Sequence, residues 1–360
     1  MLMDQRLAAV RGEMGEAGAD AFFSLSPTDN EYLTGFRGTT SALLITVDRA
    51  ILLCDFRYTE QAQQQALGFE VVEVTGSLET RVGERLVELG VSCAAFEPGR
   101  LTVLQHATVA KAFPEEALIP AQGGIARGRE VKDAEEINRI RAASELAEGA
   151  LEAVLPELRE GVTEREFAAR LEYEFQRRGA TGVSFPAIVL FGARSSLPHG
   201  VPGGKRLERG DIVLIDCGCL HNSYCSDLTR TFVFDRIPGA WFQEIYALTL
   251  SAQLAALAAV RPGVKCVEVD AVARDIIKDA GYGDRFGHGL GHGVGLEIHE
   301  SPRLNIQSEA VLRPGHIVTV EPGIYLPDRG GVRIEDLVVV TEDGCEVLTQ
   351  LPKELKVLHA

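Results

Sequence analysis

The sequence lacks the features of a membrane protein, a nucleic-acid-binding protein or a disulfide-stabilised secreted domain. No apolar run approaches the ~20 residues that a membrane helix needs, and the first twenty residues lack the regions of a signal peptide. The formal net charge of −16 is unsuited to nucleic acid or an anionic membrane, because both need basic surface. Seven cysteines, an odd number without framework spacing, favour reduced thiols. We therefore expect no nucleic-acid partner, no membrane partner and a cytoplasmic location.

What remains is a globular chain with room for two domains. Its 360 residues are 46% hydrophobic and 24% charged, as expected for a soluble protein with a sizeable core. In the first part, helical patterns at 4–18, 60–67 and 78–89 alternate with predicted strands, which indicates an α/β domain. The strand candidates are AFFSL, SALLITV, AILLCDF, FEVVEV and VSCAAFEP. The pattern lapses at QGGIARGRE, which predicts a linker and domains at 1–129 and 130–360.

The second part begins with helix signals and continues with apolar strands. Asp133 is a good N-cap before acids in the first turn, and Thr163 precedes Glu166 in a capping-box pattern that predicts a helix over 163–178. Further helices are predicted over 239–260 and 266–280. The glycine-rich run FGHGLGHGVGLEIHE is expected to be a loop or irregular strand that brings backbone close to a site. Strands are predicted in IVLIDCG, DLTRTFVF and VRIEDLVVV.

Acidic residues and a histidine lie at the ends of these apolar segments. A carboxylate in such a setting is costly unless it is paired or bound to a metal. One interpretation is a structural ion-pair network, in which Arg230 and Arg333 neutralise part of the charge. The other is a metal site, and its oxygen-rich donor set would suit Mn²⁺, Fe²⁺, Co²⁺ or Zn²⁺. The candidate ligands are Asp216, Asp227, His292, Glu321 and Glu335.

Short motifs around these residues follow one another in a fixed order. They are PHG at 198–200, DCG at 216–218, DLTRT at 227–231, GHGVGLEIHE at 291–300, EPGIY at 321–325 and RIED at 333–336. The set resembles the motifs of the creatinase/prolidase/aminopeptidase P family. NEYLTGF and DFRYTEQA in the first part resemble that family's N-terminal domain. The resemblance implies an α/β N-terminal domain followed by an α+β catalytic domain with the "pita-bread" fold.

The resemblance also implies a catalytic centre with two divalent metal ions, of which Mn²⁺ or Co²⁺ is favoured and Zn²⁺ or Fe²⁺ is possible. By analogy Asp216 binds one metal and His292 the other, while Asp227 and Glu335 bridge them. Glu321 is expected both to ligate and to move the proton of the nucleophile. His199 and His299 are then expected to donate hydrogen bonds to the scissile carbonyl. His288 is expected to support the site from outside the ligand set, and the nearby cysteines are not expected to be ligands.

The expected activity is hydrolysis of the bond between an N-terminal residue and a following proline, with a preference for dipeptides. Arg303 resembles the arginine that prolidases place near the proline carboxylate, while Arg37 and Arg333 are further candidates for substrate binding. An aminopeptidase P acting on longer peptides is the main alternative. A creatinase-like amidinohydrolase, a methionine aminopeptidase and a non-catalytic binding module are more remote. Related peptidases are commonly homodimers, and we expect the same assembly here.

Overall fold

A computed structural model describes residues 2–121 and 123–359 of the chain. The chain divides into two compact units, Met1–Arg129 and Glu130–Ala360. Within the described ranges, no helix combines the length and apolar character needed to cross a membrane.

The N-terminal unit is built around a six-stranded mixed sheet of order β4-β3-β2-β1-β5-β6. Its strands alternate with helices, and apolar side chains such as Phe23, Leu44 and Leu53 are fully or almost fully buried against helices including α4. The strands are β1 Ala21–Ser24, β2 Ser41–Thr46, β3 Ala50–Cys54, β4 Glu70–Glu73, β5 Ala94–Phe96 and β6 Leu118–Pro120. The helices are α1 Leu2–Glu16, α2 Pro27–Thr34, α3 Thr59–Gln65, α4 Leu78–Glu88, α5 Val103–Val109 and α6 Gly124–Glu130.

Helix α6 corrects the prediction of a linker at QGGIARGRE. The Glu97 side chain, 28 residues earlier in the chain, accepts hydrogen bonds from the backbone N–H groups of Ile125 (2.7 Å) and Ala126 (3.0 Å). Arg129 is buried and donates to Asp29 at 2.7 Å. Glu97 therefore accepts from backbone donors at the start of the helix, and Asp29 neutralises the charge of Arg129 near its end. The helix therefore depends on tertiary contacts that a local pattern of glycine and charge does not reveal.

The second unit opens with two helices whose predicted caps are present. Asp133 caps α7 (Ala134–Val154) and Thr163 caps α8 (Glu164–Arg177), each within a capping box completed by a glutamate three residues later. Such reciprocal bonds satisfy donors that a helix N-terminus leaves open. The other two long helices are α9 Ala240–Ala259 and α10 Cys266–Ile277.

The strands of this unit form several small sheets. A four-stranded sheet has the order β20-β12-β9-β8, a five-stranded sheet has the order β14-β13-β15-β18-β19, and β16 pairs with β17. A further small sheet has the order β11-β10-β7. The bounds are β7 Gly182–Val183, β8 Ile188–Phe191, β9 Ile212–Cys217, β10 Cys219–His221, β11 Tyr224–Cys225, β12 Leu228–Phe234, β13 Gly291–Gly293, β14 Glu300–Leu304, β15 Ile317–Val320, β16 Gly323–Leu326, β17 Gly330–Arg333, β18 Asp336–Val340, β19 Cys345–Val347 and β20 Val357–Leu358.

Two apolar cores cover these sheets. One joins α7 and α8 to β8, β9 and β12 through residues such as Phe167, Phe175 and Phe191, and the other joins α9 and α10 to strands including β15 and β18. VRIEDLVVV is not one strand as predicted. Ile334 and Glu335 interrupt it between β17 and β18. The interruption allows Glu335 to leave the regular ladder at the point where the sheets meet.

Candidate metal centre

Three carboxylates converge where β9, β12 and the break between β17 and β18 come together. Asp216 lies in β9 opposite Thr229 of β12, and Asp227 immediately precedes β12. The backbone N–H of Glu335 donates to the Thr229 carbonyl at 3.2 Å, which joins the interrupted strand to β12. One oxygen of each of Asp216, Asp227 and Glu335 lies within 4.8 Å of the others. This spacing is suitable for ligands that share divalent cations.

His292 and Glu321 complete the group from the five-stranded sheet. His292 lies in β13, and Glu321 directly follows β15. The His292 Nε2 atom is 3.6 Å from Asp227 Oδ2 and 3.4 Å from Glu321 Oε1. An added Cβ at Gly291 would lie 1.9 Å from the Thr319 carbonyl oxygen. Glycine at that position therefore allows β13 to approach β15 closely, which brings His292 to the acids.

The electrostatics of this group are those of crowded, buried acids. Burial is the main cause that raises the pKa of Asp227 and Glu335 well above the usual range, and neighbouring carboxylates raise both pKa values further. Burial also raises the pKa of Glu321 to about 7, although Arg333 opposes the shift. Burial lowers the pKa of His292 to about 3, so its imidazole is neutral near pH 7. Such a set favours neutralisation by protons or by cations.

Two atoms of this group have lone pairs without a hydrogen-bond donor from the protein, and such atoms suit a divalent metal better than a network of protein ion pairs. The buried Oδ1 atom of Asp216 has no hydrogen-bond partner among the described residues. His292 Nδ1 lies 3.1 Å from the Gly293 carbonyl, which can only accept, so the neutral ring carries its hydrogen on Nδ1. Its Nε2 lone pair then faces carboxylate oxygens of Asp227 and Glu321, and the repulsion of these lone pairs is relieved by a cation or a proton between them. The residues present therefore fit metal ligation.

Two threonines that sequence reasoning missed donate hydrogen bonds to the candidate ligands. Thr229 Oγ1 donates to Glu335 Oε2 at 2.7 Å, and Thr319 Oγ1 donates to Glu321 Oε1 at 3.1 Å. Thr319 Oγ1 also accepts from the His292 backbone N–H at 3.1 Å. A usable signal was present, because Thr319 lies two residues before Glu321, and in an extended chain residues two apart face the same side.

Arg333 is engaged by the protein, which weakens its predicted role in substrate binding. It is 3% exposed, and its guanidinium donates to Asp216 Oδ2 at 2.6 Å and to the Tyr325 hydroxyl at 2.8 Å. The Tyr325 hydroxyl in turn lies 2.9 Å from His288 Nε2, so His288 is connected to Asp216 through Tyr325 and Arg333. Arg230 does not have the role that the alternative of a structural ion-pair network gave it, because its ion pair is with Asp336 at 2.8 Å.

The remaining predicted residues of this unit border the same cavity, whose volume is about 640 Å³. His199 and His299 are exposed at its wall, and the rings of His292 and His299 stack edge to face with centroids 4.4 Å apart. Arg303 lies opposite His292 in the β13–β14 pair, a placement that puts both side chains on one face. Among the described residues, its guanidinium has no hydrogen-bond or ion-pair partner.

Arg37 and the cysteines have other surroundings. Arg37 belongs to the N-terminal unit, where its Nε atom lies 3.3 Å from Glu31 Oε1. All seven cysteines are free thiols. Burial raises the pKa of Cys219 to about 11 and of Cys225 to about 12, which opposes the thiolate form that metals bind.

The chain belongs to metallopeptidase family M24. Residues 138–342 match that family, and residues 6–131 match the creatinase/prolidase N-terminal domain. This membership confirms the predicted hydrolase class, the use of divalent metal and the fold of an α/β N-terminal domain followed by a pita-bread catalytic domain.

Individual relatives match over nearly the full length. The uncharacterized peptidase YqhT of Bacillus subtilis (strain 168) is 41% identical over 353 residues, covering 98% of this chain and 100% of that protein. The solved structure of an Xaa-Pro dipeptidase from Bacillus anthracis has a TM-score of 0.95 at 41% identity, covering 99% of this chain and 100% of that chain. An X-Pro aminopeptidase from Thermotoga maritima MSB8 has a TM-score of 0.87 at 39% identity, covering 94% and 98%.

Proposed function

We propose that this protein is an Xaa-Pro dipeptidase that works with two divalent metal ions. The observation that carries the proposal is the shared cavity, in which the clustered carboxylates and an unpaired arginine line one space. We propose Mn²⁺ or Co²⁺ as the preferred ions and Zn²⁺ or Fe²⁺ as possible substitutes, because oxygen and imidazole donors suit all four. The proposed ligands are Asp216, Asp227, His292, Glu321 and Glu335.

Metal ions bound there would polarise the scissile carbonyl and lower the pKa of water. The chain's own residues supply the remaining chemistry. Glu321 is the candidate for moving the proton from the attacking water towards the leaving nitrogen, because its carboxylate borders the cavity beside His292. His199 and His299 border the same space and can donate hydrogen bonds to the carbonyl oxygen as negative charge develops on it.

Proline at the second position has a physical rationale. An Xaa-Pro bond is a tertiary amide without an N–H group, so a site for it needs shape around the ring rather than an acceptor for that hydrogen. The cavity wall offers apolar side chains, among them Phe185, Val201 and Ile298. Arg303 can bind a carboxylate as a planar fork of donors. A dipeptide presents its carboxylate directly after the proline ring, which favours the shortest substrates.

The test compares Leu-Pro with Leu-Pro-Pro by measuring kcat/KM for each. We expect the dipeptide to be cleaved faster, and we expect Arg303→Ala to raise KM for the dipeptide more than for the tripeptide. Arg209→Ala is a matched control, since it removes an arginine from a surface pair with Glu160 (3.1 Å) and should leave both values unchanged. A clear preference of the wild-type enzyme for Leu-Pro-Pro would assign it to the aminopeptidases P.

That alternative has one specific observation in its favour. The X-Pro aminopeptidase of Thermotoga maritima is similar to this chain over 98% of its own length. A protein with that name therefore has the same architecture. The alternative requires the cavity to admit chain beyond the proline, which the tripeptide in the comparison above measures.

We also propose a homodimer in the cytoplasm. The dimer rests on the resemblance to peptidases that are commonly symmetric dimers, and light scattering at the monomer mass would contradict it. The location is supported by seven free thiols, which are typical of reducing compartments.

Arg37 stays a candidate for substrate binding, and the same dipeptide assay on Arg37→Ala tests it.

A further inference from the structure

A fully buried carboxylate lies behind the segment that carries His199. Glu164, at the start of α8, is 0% exposed. Its Oε1 atom accepts from the Phe191 backbone N–H at 2.8 Å, and its Oε2 atom accepts from the Gly203 backbone N–H at 2.8 Å. Arg194 Nε lies 3.0 Å from both oxygens. The Glu164 side chain therefore contacts the end of β8, the turn after it and the chain that follows His199.

Arg194 extends this connection to the wall of the cavity. While Nε contacts Glu164, a second guanidinium nitrogen donates to the Val201 carbonyl at 2.8 Å. We define the His199 segment as residues 198–203. On its other side, Arg333 donates to the Pro198 carbonyl at 3.3 Å. Carbonyl groups on both sides of His199 are therefore held by arginines.

These polar contacts matter because the His199 segment has little apolar burial of its own. Every residue from 198 to 203 is partly or fully exposed, and Val201 is 76% exposed. Residues 198–202 all line the cavity. A segment with exposed backbone and few buried apolar contacts opens readily unless hydrogen bonds restrain it. The contacts of Glu164 and Arg194 provide such a restraint.

We propose that Glu164 and Arg194 are positioning residues, which hold His199 and the neighbouring apolar wall in place for the substrate. Neither residue lines the cavity, so their effect is exerted through the His199 segment. The proposal rests on the proposed peptidase function. The restraint requires the planar fork of the Arg194 guanidinium. Only this group can contact a carboxylate with one nitrogen and a carbonyl with another in a fixed orientation.

The experiment compares Arg194→Ala and Arg194→Lys with Arg170→Ala in the metal-loaded enzyme. Arg170 is a matched control on α8, because its Nε atom also lies 3.0 Å from both oxygens of a glutamate, Glu157, at the surface. We expect both Arg194 variants to lower kcat for Leu-Pro roughly ten- to a hundredfold, the scale on which small misplacements act. Metal content should stay unchanged. Arg170→Ala should match the wild type.

A double-mutant cycle with His199→Ala separates positioning from general stability. If Arg194 acts through His199, Arg194→Ala should cost less than about twofold in kcat in the His199→Ala background, because residues coupled through one backbone segment are not additive. An equal loss in both backgrounds would overturn the proposal. So would wild-type kinetics in Arg194→Lys, which keeps a charge beside Glu164 but lacks the fork.

Hydrogen exchange supplies a test that does not depend on turnover. Arg194→Ala should increase amide exchange in residues 199–203, because the Val201 carbonyl loses its donor and Glu164, which accepts from the Gly203 amide, loses its ion pair. It should leave α8 protected. Unchanged exchange in that segment would contradict the proposal. If the wild-type enzyme cleaves no Xaa-Pro peptide, the proposed function fails, whereas the exchange comparison still decides whether Arg194 restrains the segment.

Discussion

Thr229→Val tests whether the hydroxyl groups behind the candidate ligands contribute to metal binding. Thr229 is fully buried, its Oγ1 atom donates to Glu335 Oε2 at 2.7 Å, and the same atom accepts from Arg333 Nε at 3.1 Å. Valine replaces the hydroxyl with a methyl of similar size, so Glu335 loses a donor without gaining space. A hydrogen bond to a charged group contributes roughly 1.5–3 kcal/mol. We therefore expect metal affinity to fall about 10- to 100-fold, the range typical of groups that orient ligands.

The assay is titration of the metal-free protein with Mn²⁺, followed calorimetrically. Thr231→Val is a matched control on the same face of β12, since Thr231 is also fully buried and its hydroxyl donates to the Arg333 carbonyl at 2.9 Å. It should lower the free energy of unfolding while changing metal affinity less than about threefold. Thr229→Ser keeps the hydroxyl and should restore most of the affinity. Wild-type affinity in Thr229→Val would refute the reasoning.

Three further outcomes follow from the proposed site. Chelation should abolish peptidase activity and added Mn²⁺ or Co²⁺ should restore it; full turnover in protein shown by elemental analysis to be metal-free would contradict a metal role. Glu321→Gln should lower kcat at least ~10²-fold even when metal-replete, because it removes the proton carrier. His299→Ala should lower kcat roughly 10²-fold yet retain its metals. Loss of metal from that variant, measured by elemental analysis, would instead make His299 a ligand.

Local sequence signals predicted the elements that are stabilised locally. Helices α7 and α8 begin at their predicted caps, because Asp133 and Thr163 bond within their own first turns. Helix α6 was missed, since its first N–H groups bond to Glu97 from a distant part of the chain. The difference is physical: a capping box lies within four residues, whereas a tertiary cap depends on the finished fold.

The candidate ligands were predictable because each stands in a recognisable motif at the end of an apolar run. Their partners were not, since these depend on which strands become neighbours. Thr229 meets Glu335 across 106 residues of sequence, and Arg230 meets Asp336 across the same separation. Thr229 and Arg230 are adjacent in β12 and therefore face opposite sides of the strand. Thr229 faces the candidate centre, and Arg230 faces away from it. Alternation in the sequence indicated two faces without identifying what each one contacts.

The partners of Arg230 also bear on whether the buried acids form a structural network or a metal site. A structural network would match each acid with a cation of the protein. Here Asp336 pairs with both Arg230 and Lys353. Among the described residues, the four carboxylates of the proposed centre have one ion pair with an arginine or lysine, between Asp216 and Arg333. His292 adds no charge near pH 7, because burial lowers its pKa to about 3. The protein thus neutralises the acid behind the centre and leaves the acids inside it short of positive charge, which favours ligation of cations over a structural role.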